Sequence, residues 1–322
     1  MQVLAIRSFS RFRRPNRATT LATGVFTITL TSAELTIDKD LTIDGAGAKV
    51  VISGAKKFSV FNITAGAVAI SKLTIANGQS GGATSGGAGG INHTGGTLTL
   101  NDCLLTRNGN DSGAIFNGTG ASAVVNNCTL TRNTAAYGAG IRNVGMLTLS
   151  NSTVTDNSDF GFKAVSNEGT ARVRNTIIAG NNSASSESDV GGNFISEGHN
   201  FIGMPGSSTG FGSSGSHDQV GSNAIPADPK LGPLQDNGGP TATLRPLAGS
   251  PVIDQGNRGT DSNSQPINTD QPGAPPAKML PVGIGGCVPR IFARFAYTFC
   301  TKPKARSCRV HVARGRLNRS QA

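Results

Sequence analysis

Thr97–Asn108 reads TLTLNDCLLTRN, and the pattern returns as SAVVNNCTLTRN at Ser122–Asn133, MLTLSNSTVTDN at Met146–Asn157 and TARVRNTIIAGN at Thr170–Asn181. The spacing is 24–25 residues. An offset copy, VAISKLTIAN, stands at Val68–Asn77, and LTIDKDLTIDG at Leu35–Gly45 supplies two earlier pieces. A second register lies between the copies: Gly-Ala-Ile-Phe-Asn at 113–117, Gly-Ile-Arg-Asn at 140–143 and Ala-Val-Ser-Asn at 164–167, with Gly90-Ile91-Asn92 as a shortened version. A fixed period in this range is the mark of a solenoid.

Within each copy apolar residues alternate with Thr, as in Leu98/Leu100 and Leu147/Leu149. That is strand periodicity, and β-branched residues suit it. The unit is too short for a strand, a crossover helix and a return. It suits one coil of a parallel β-helix, each strand hydrogen-bonding to its equivalents about 4.8 Å above and below. Residues 25–182 then make about six coils. Leu105, Leu130, Val154 and Ile178 are expected to stack inward as one column, and Ile115, Ile141 and Val165 as another. Asp102, Asn127, Asn151 and Asn175 should align at one corner, and Asn108, Asn133, Asn157 and Asn181 at the next. Stacked Asn side chains can bond along the axis and tolerate left-handed corners. An exposed, ligand-binding Asn row is the alternative. Cys103 and Cys128 share a column of small residues and are expected to be reduced core thiols, because side chains stacked in one direction bridge poorly.

The net charge of +11 is unevenly placed. Residues 1–20 hold five Arg and no acid, and 273–322 hold ten Lys plus Arg and no acid. All 18 acids lie between them. Neither end carries the repeat. The tail also holds Cys287, Cys300 and Cys308 among Pro and Arg. It reads as a basic interaction tail or as out-of-frame translation of GC-rich DNA, and the composition favours the second. Segments 1–24 and 273–322 are therefore expected to be disordered or non-native. Met1–Ile6 is apolar but short and is followed by Arg, the reverse of a signal peptide. No apolar run approaches the ~18 residues of a membrane-spanning helix.

Residues 183–272 are rich in Gly, Ser, Asn and Pro, with isolated apolar pieces such as Phe194-Ile195, Phe201-Ile202 and Leu244–Ile253. They are expected to form loops and short strands along the last coils and to cap the core, since an open terminal coil exposes unpaired edges. The coils resemble right-handed parallel β-helix repeats, and their pairing of Gly-Gly/Ala-Ile-x-Asn with x-Thr-Arg-Asn is similar to repeats of polymorphic outer-membrane proteins. Asp228-Pro-Lys-Leu-Gly-Pro-Leu-Gln-Asp-Asn-Gly-Gly-Pro-Thr241, Leu247–Gly256, Gly198–Gly203 and Thr269–Gln271 resemble the signature of choice-of-anchor Q domain proteins. The resemblance covers about Val25–Gly273. It implies a bacterial secreted or surface-anchored β-helix protein without an established catalytic site. The chain departs from that pattern after Gln271, where Pro-Gly-Ala-Pro-Pro leads into the basic tail.

Many parallel β-helix enzymes cleave polysaccharides, so stacked carboxylates are the first chemistry to seek. An inverting hydrolase needs two acids about 6.5–9.5 Å apart. Asp102 aligns with Asn, and Asp156 aligns with Arg107 and Arg132, an arrangement that suits a weak surface ion pair. Asp38, Asp40 and Asp44 form the densest acidic group and are read as corners of an early coil. Tyr137 is the only Tyr of the repeats and there is no Trp, so aromatic sugar platforms are scarce. Gly81–Gly90 lacks the Lys-Ser/Thr of a phosphate loop. His93, His199, His217 and His311 have no metal-ligand spacing. The sequence thus assigns no catalytic, cofactor-binding or metal-ligating residue and implies no cofactor. It reads as an all-β, right-handed parallel β-helix with a loop-rich C-terminal cap. The expected role is non-catalytic, adhesin-like or in envelope contacts, at the cell surface or outside it. Host or envelope glycans or proteins are the candidate partners, and nucleic acid is not expected. A carbohydrate-active lyase or hydrolase is the alternative.

Overall fold

The structure is a computed structural model that describes residues 24–45, 48–79, 87–159, 163–183 and 189–257. Both basic ends lie outside the described residues, as do Thr269–Gln271, the three tail cysteines, His311 and residues 81–86 of the Gly-rich stretch.

Every element among the described residues is a strand, and all pairings in the repeats are parallel. Each coil passes through three walls. The first wall has seven strands, from Leu35–Ile37 to Val190–Gly192, and the second has seven, from Leu41–Asp44 to Ile195–Ser196. The third has nine, from Val25–Thr29 to Gln219–Val220. A four-stranded strip, from Gly109–Asn110 to Asn182–Ser183, lines the return from the third wall to the first. Six coils fall within residues 25–182. A seventh, Val190–Ile202, comes from the stretch expected to be cap.

The interior is built from the predicted columns. Leu105 pairs with Leu130, Leu130 with Val154 and Val154 with Ile178, each 0% exposed. Ile115, Ile141 and Val165 stack likewise on the first wall and are equally buried. Strand alternation directs these positions inward, and coil-to-coil stacking removes them from water. The column weakens at the first rung, where the inward positions Phe26, Ile28 and Leu41 stay exposed.

The corners explain the Asn content. Asp102, Asn127, Asn151 and Asn175 all have left-handed φ, between 47° and 55°. Asn and Asp tolerate that region better than other residues with a Cβ. At the next corner the expectation needs correction. There the left-handed residues are Arg107, Arg132, Asp156 and Gly180, each one position before the Asn row, and Asn77, which precedes Gly78 in an earlier coil. The row itself points inward. Gly96, with φ of 80°, is the residue type required where the first wall turns into the second. A Cβ there would lie 2.3 Å from the carbonyl oxygen of Gly66.

Asn108, Asn133, Asn157 and Asn181 form a buried ladder. The Oδ1 of Asn133 accepts from both the backbone N and the Nδ2 of Asn108, each at 3.0 Å. Asn133 Nδ2 donates one proton to Leu105 O at 3.0 Å and the other to Asn157 Oδ1 at 2.9 Å. Asn157 repeats this scheme with Leu130 O and Asn181. Every donor and acceptor of the carboxamide is used, the condition for burying it. The ladder is polar, so its last rung must accept without donating onward. That rung is Asp189, whose Oδ1 takes the N and Nδ2 of Asn181 while its Oδ2 takes Met204 N at 2.6 Å.

Candidate functional site

The chain after the solenoid builds an unanticipated feature. Leu231–Gln235 and Thr243–Pro246 form an antiparallel hairpin. Its tip reaches back to the early coils, where Asp236 pairs with Lys49 and Thr241 Oγ1 donates to Asp102 O at 3.2 Å. The returning segment bonds the late coils: Gln219 Nε2 to Pro251 O at 3.0 Å, His199 Nδ1 to Gln255 O at 2.8 Å, and Asn175 to Asn257 by two bonds of 2.8 and 2.9 Å. Every contact falls on one line, the corner that opens the third wall. The segment is thus a strap along the solenoid as well as cover for its last coils. The hydrogen bond from Lys49 holds the exposed Asp236 carboxyl below its usual range.

The acids considered for catalysis are placed as follows. Asp40 Oδ1 accepts from Ala67 N at 2.8 Å, and Asp44 Oδ1 from Ser71 Oγ at 3.0 Å. Asp38 and Asp40 sit in the turn between the first and second walls of the earliest coil, and Asp44 ends its second-wall strand. Burial raises the carboxyl of Asp102, and a 2.6 Å hydrogen bond from Asn127 Nδ2 opposes that rise. Asp156 accepts from Arg132 Nε at 3.2 Å, as the alignment predicted. Both side chains are about half exposed, so this pair adds little to stability. Among the described residues no group of three or more His, Cys, Asp or Glu is arranged to hold a metal ion.

Asp189 and Asp218 are structural acids that the sequence reading passed over. Asp189 is 2% exposed, and burial raises its pKa. Asp218 ends a second column, in which Cys128 N donates to Ser152 Oγ, Ser152 N to Thr176 Oγ1, Thr176 N to Asn200 Oδ1, and Asn200 N and Nδ2 to Asp218 Oδ1. Cys103 and Cys128 begin this column as buried thiols outside any disulfide, and burial pushes Cys128 well above the ordinary thiol range. A third row joins His93 Nδ1, Asn117, Asn143 and Asn167 at 2.6–2.8 Å. Because Asn117 spends its Nδ2 on Asn143, its Oδ1 must accept from His93. That fixes the proton on Nδ1 and leaves the buried Nε2 without a partner. Burial accordingly lowers the pKa of His93. The 24–26-residue spacing of this row was the available signal.

Two clusters bring together residues the sequence left scattered. On the outer face of the first wall, the Arg142 guanidinium lies 5.8 Å from the Phe116 ring centre and 5.3 Å from that of Tyr137. Glu168 holds it at 3.0 and 3.5 Å. Tyr137 is 41% exposed. Near the strap, His199 and His217 stack with ring centres 5.0 Å apart.

Parallel three-walled coils, inward aliphatic columns and buried polar ladders define a β-solenoid protein. Residues 32–225, more than half of the chain, match the model of the right handed beta helix region, and the chain belongs to that family. No curated protein and no solved structure matches it. Among the described residues there is no helix long and apolar enough to cross a membrane.

Proposed function

We propose that this β-helix is a non-catalytic, adhesin-like protein of the bacterial cell surface or its exterior, presenting long side walls to envelope or host glycans or proteins. The observation that carries this reading is the employment of the carboxylates. Asp102, Asp189 and Asp218 accept the corner and ladder donors. Asp156, Glu168 and Glu197 pair with Arg132, Arg142 and Arg172. A glycosidase-type acid pair instead needs two carboxyls facing one substrate bond. The resemblance of Asp228–Thr241 and Leu247–Gly256 to choice-of-anchor Q proteins supports the surface location. The strap gives these segments a physical role, since they line the hairpin and its return. The carbohydrate-active reading has one observation in its favour: the Phe116–Tyr137–Arg142 patch offers aromatic faces and fixed donors of the kind that hold sugar rings.

The test is incubation of the purified protein with a panel of uronate and neutral polysaccharides, reading new reducing ends and unsaturated products. The expected result is no release above buffer. Cleavage that one substitution among Asp102, Asp156 or Glu168 abolishes would overturn the non-catalytic reading.

A further inference from the structure

The second wall carries a pattern that the repeats alone do not require. Its outward positions form three files. The register places Ala67, Thr97, Ser122, Met146 and Thr170 in one, and Thr42, Ala69, Thr99, Val124, Thr148 and Arg172 in the middle. Asp44, Ser71, Asn101, Asn126, Ser150 and Arg174 make the third. The four central strands, Ala67–Ser71 to Met146–Ser150, contain no charged residue at any position. Charge stands outside those four, with Asp44 on the first strand, where Lys72 lies 4.0 Å away, and Arg172 and Arg174 on the sixth of the seven, where Arg172 pairs with Glu197. Bulk is also unequal: Met146 is 57% exposed, and the equivalent position three strands earlier is the small Ala67.

These files are complementary to their own reversal. A two-fold axis parallel to the strands, lying midway between two facing walls over the gap between Thr97–Asn101 and Ser122–Asn126, exchanges first strand with sixth, second with fifth and third with fourth. Under that exchange Asp44 faces Arg174 of the second copy, and Ala67 faces Met146. Acid meets base at both ends, and the large side chain meets the small one on both sides of the axis. Isologous contacts require this self-complementarity, and aligned sheets pack about 10 Å apart.

We propose that the second wall is a self-association surface, on which a second copy of this chain packs face to face in antiparallel sense. The first six of its seven strands, four or five residues each, give a face of about 24 Å by 13 Å. Two such faces bury roughly 600 Å², about half of the smallest standard-size interface. The dimer is therefore a weak, transient one.

Sedimentation velocity of the full chain, from about 1 to 200 μM at low and high salt, tests this. The expected result is a concentration-dependent dimer that weakens with salt. Arg174→Glu sets like charges together at both ends and should weaken it by about ten-fold or more. Asp44→Arg should do the same, and the double variant should restore it. Far-UV circular dichroism and the unfolding midpoint confirm that each variant keeps its fold. A monomer at every concentration overturns the proposal, as does a dimer indifferent to Arg174→Glu. Loss in both single variants without recovery in the double variant contradicts the antiparallel arrangement.

Discussion

Asn133→Leu should lower the unfolding free energy by about 4 kcal/mol. Leucine nearly matches the shape of asparagine, so the change isolates polarity from volume. Four side-chain bonds disappear: two accepted from Asn108 and two donated, to Leu105 O and Asn157 Oδ1. The partners remain in place, and Asn133 itself is 0% exposed. Each buried group left without a partner costs on the order of 1–3 kcal/mol. The chain can relax or admit a water, which keeps the total below the simple sum. Urea denaturation followed by circular dichroism reads the effect. A loss under about 1 kcal/mol would mean that the ladder is ornamental.

Leu130→Ala should cost about 3 kcal/mol. Leu130 is 0% exposed and stacks between Leu105 and Val154 in the central column. Hydrogen-bonded walls above and below hold the neighbouring coils at a fixed spacing, so the cavity can close only partly. Removing the buried carbons loses their transfer free energy and adds the cavity term. The same denaturation experiment checks it. A change near that of an exposed-site control, such as Thr119→Ala, would place Leu130 outside a packed interior. Because solenoid stability is close to a sum over neighbouring coils, both variants should also broaden the transition.

Much of this architecture was legible because it repeats. The columns Leu105–Leu130–Val154–Ile178 and Ile115–Ile141–Val165 follow from period and alternation alone. The corner of Asp102, Asn127, Asn151 and Asn175 follows from residue type, since Asn and Asp tolerate left-handed backbone. The Asn108 row was found, but its geometry was misjudged. Composition cannot tell an Asn that occupies a left-handed corner from one that follows it and turns its side chain inward. Arg107 and Arg132 hold the strained positions, and nothing in an Arg announces that. His93 was invisible as a ladder rung because it replaces Asn only once. The strap was illegible for a different reason. Its bonds join Lys49 to Asp236 and Asp102 to Thr241, which are far apart in sequence and share no period. The His199–His217 stack and the Phe116–Tyr137–Arg142 patch are similar: each depends on which coil meets which, and spacing alone does not pair their members.

The central claim is that buried, fully bonded asparagine carboxamides run along the axis and hold the coils in register. Hydrogen exchange of the side-chain amide protons, followed by ¹⁵N-resolved nuclear magnetic resonance, tests it most directly. Asn133 and Asn157 carboxamide protons should exchange as slowly as the backbone amide of Leu130, while those of the exposed Asn257 exchange at the solvent-limited rate. Fast exchange at Asn133 and Asn157 with a protected Leu130 amide would show that the row faces water, and the ladder account would be wrong.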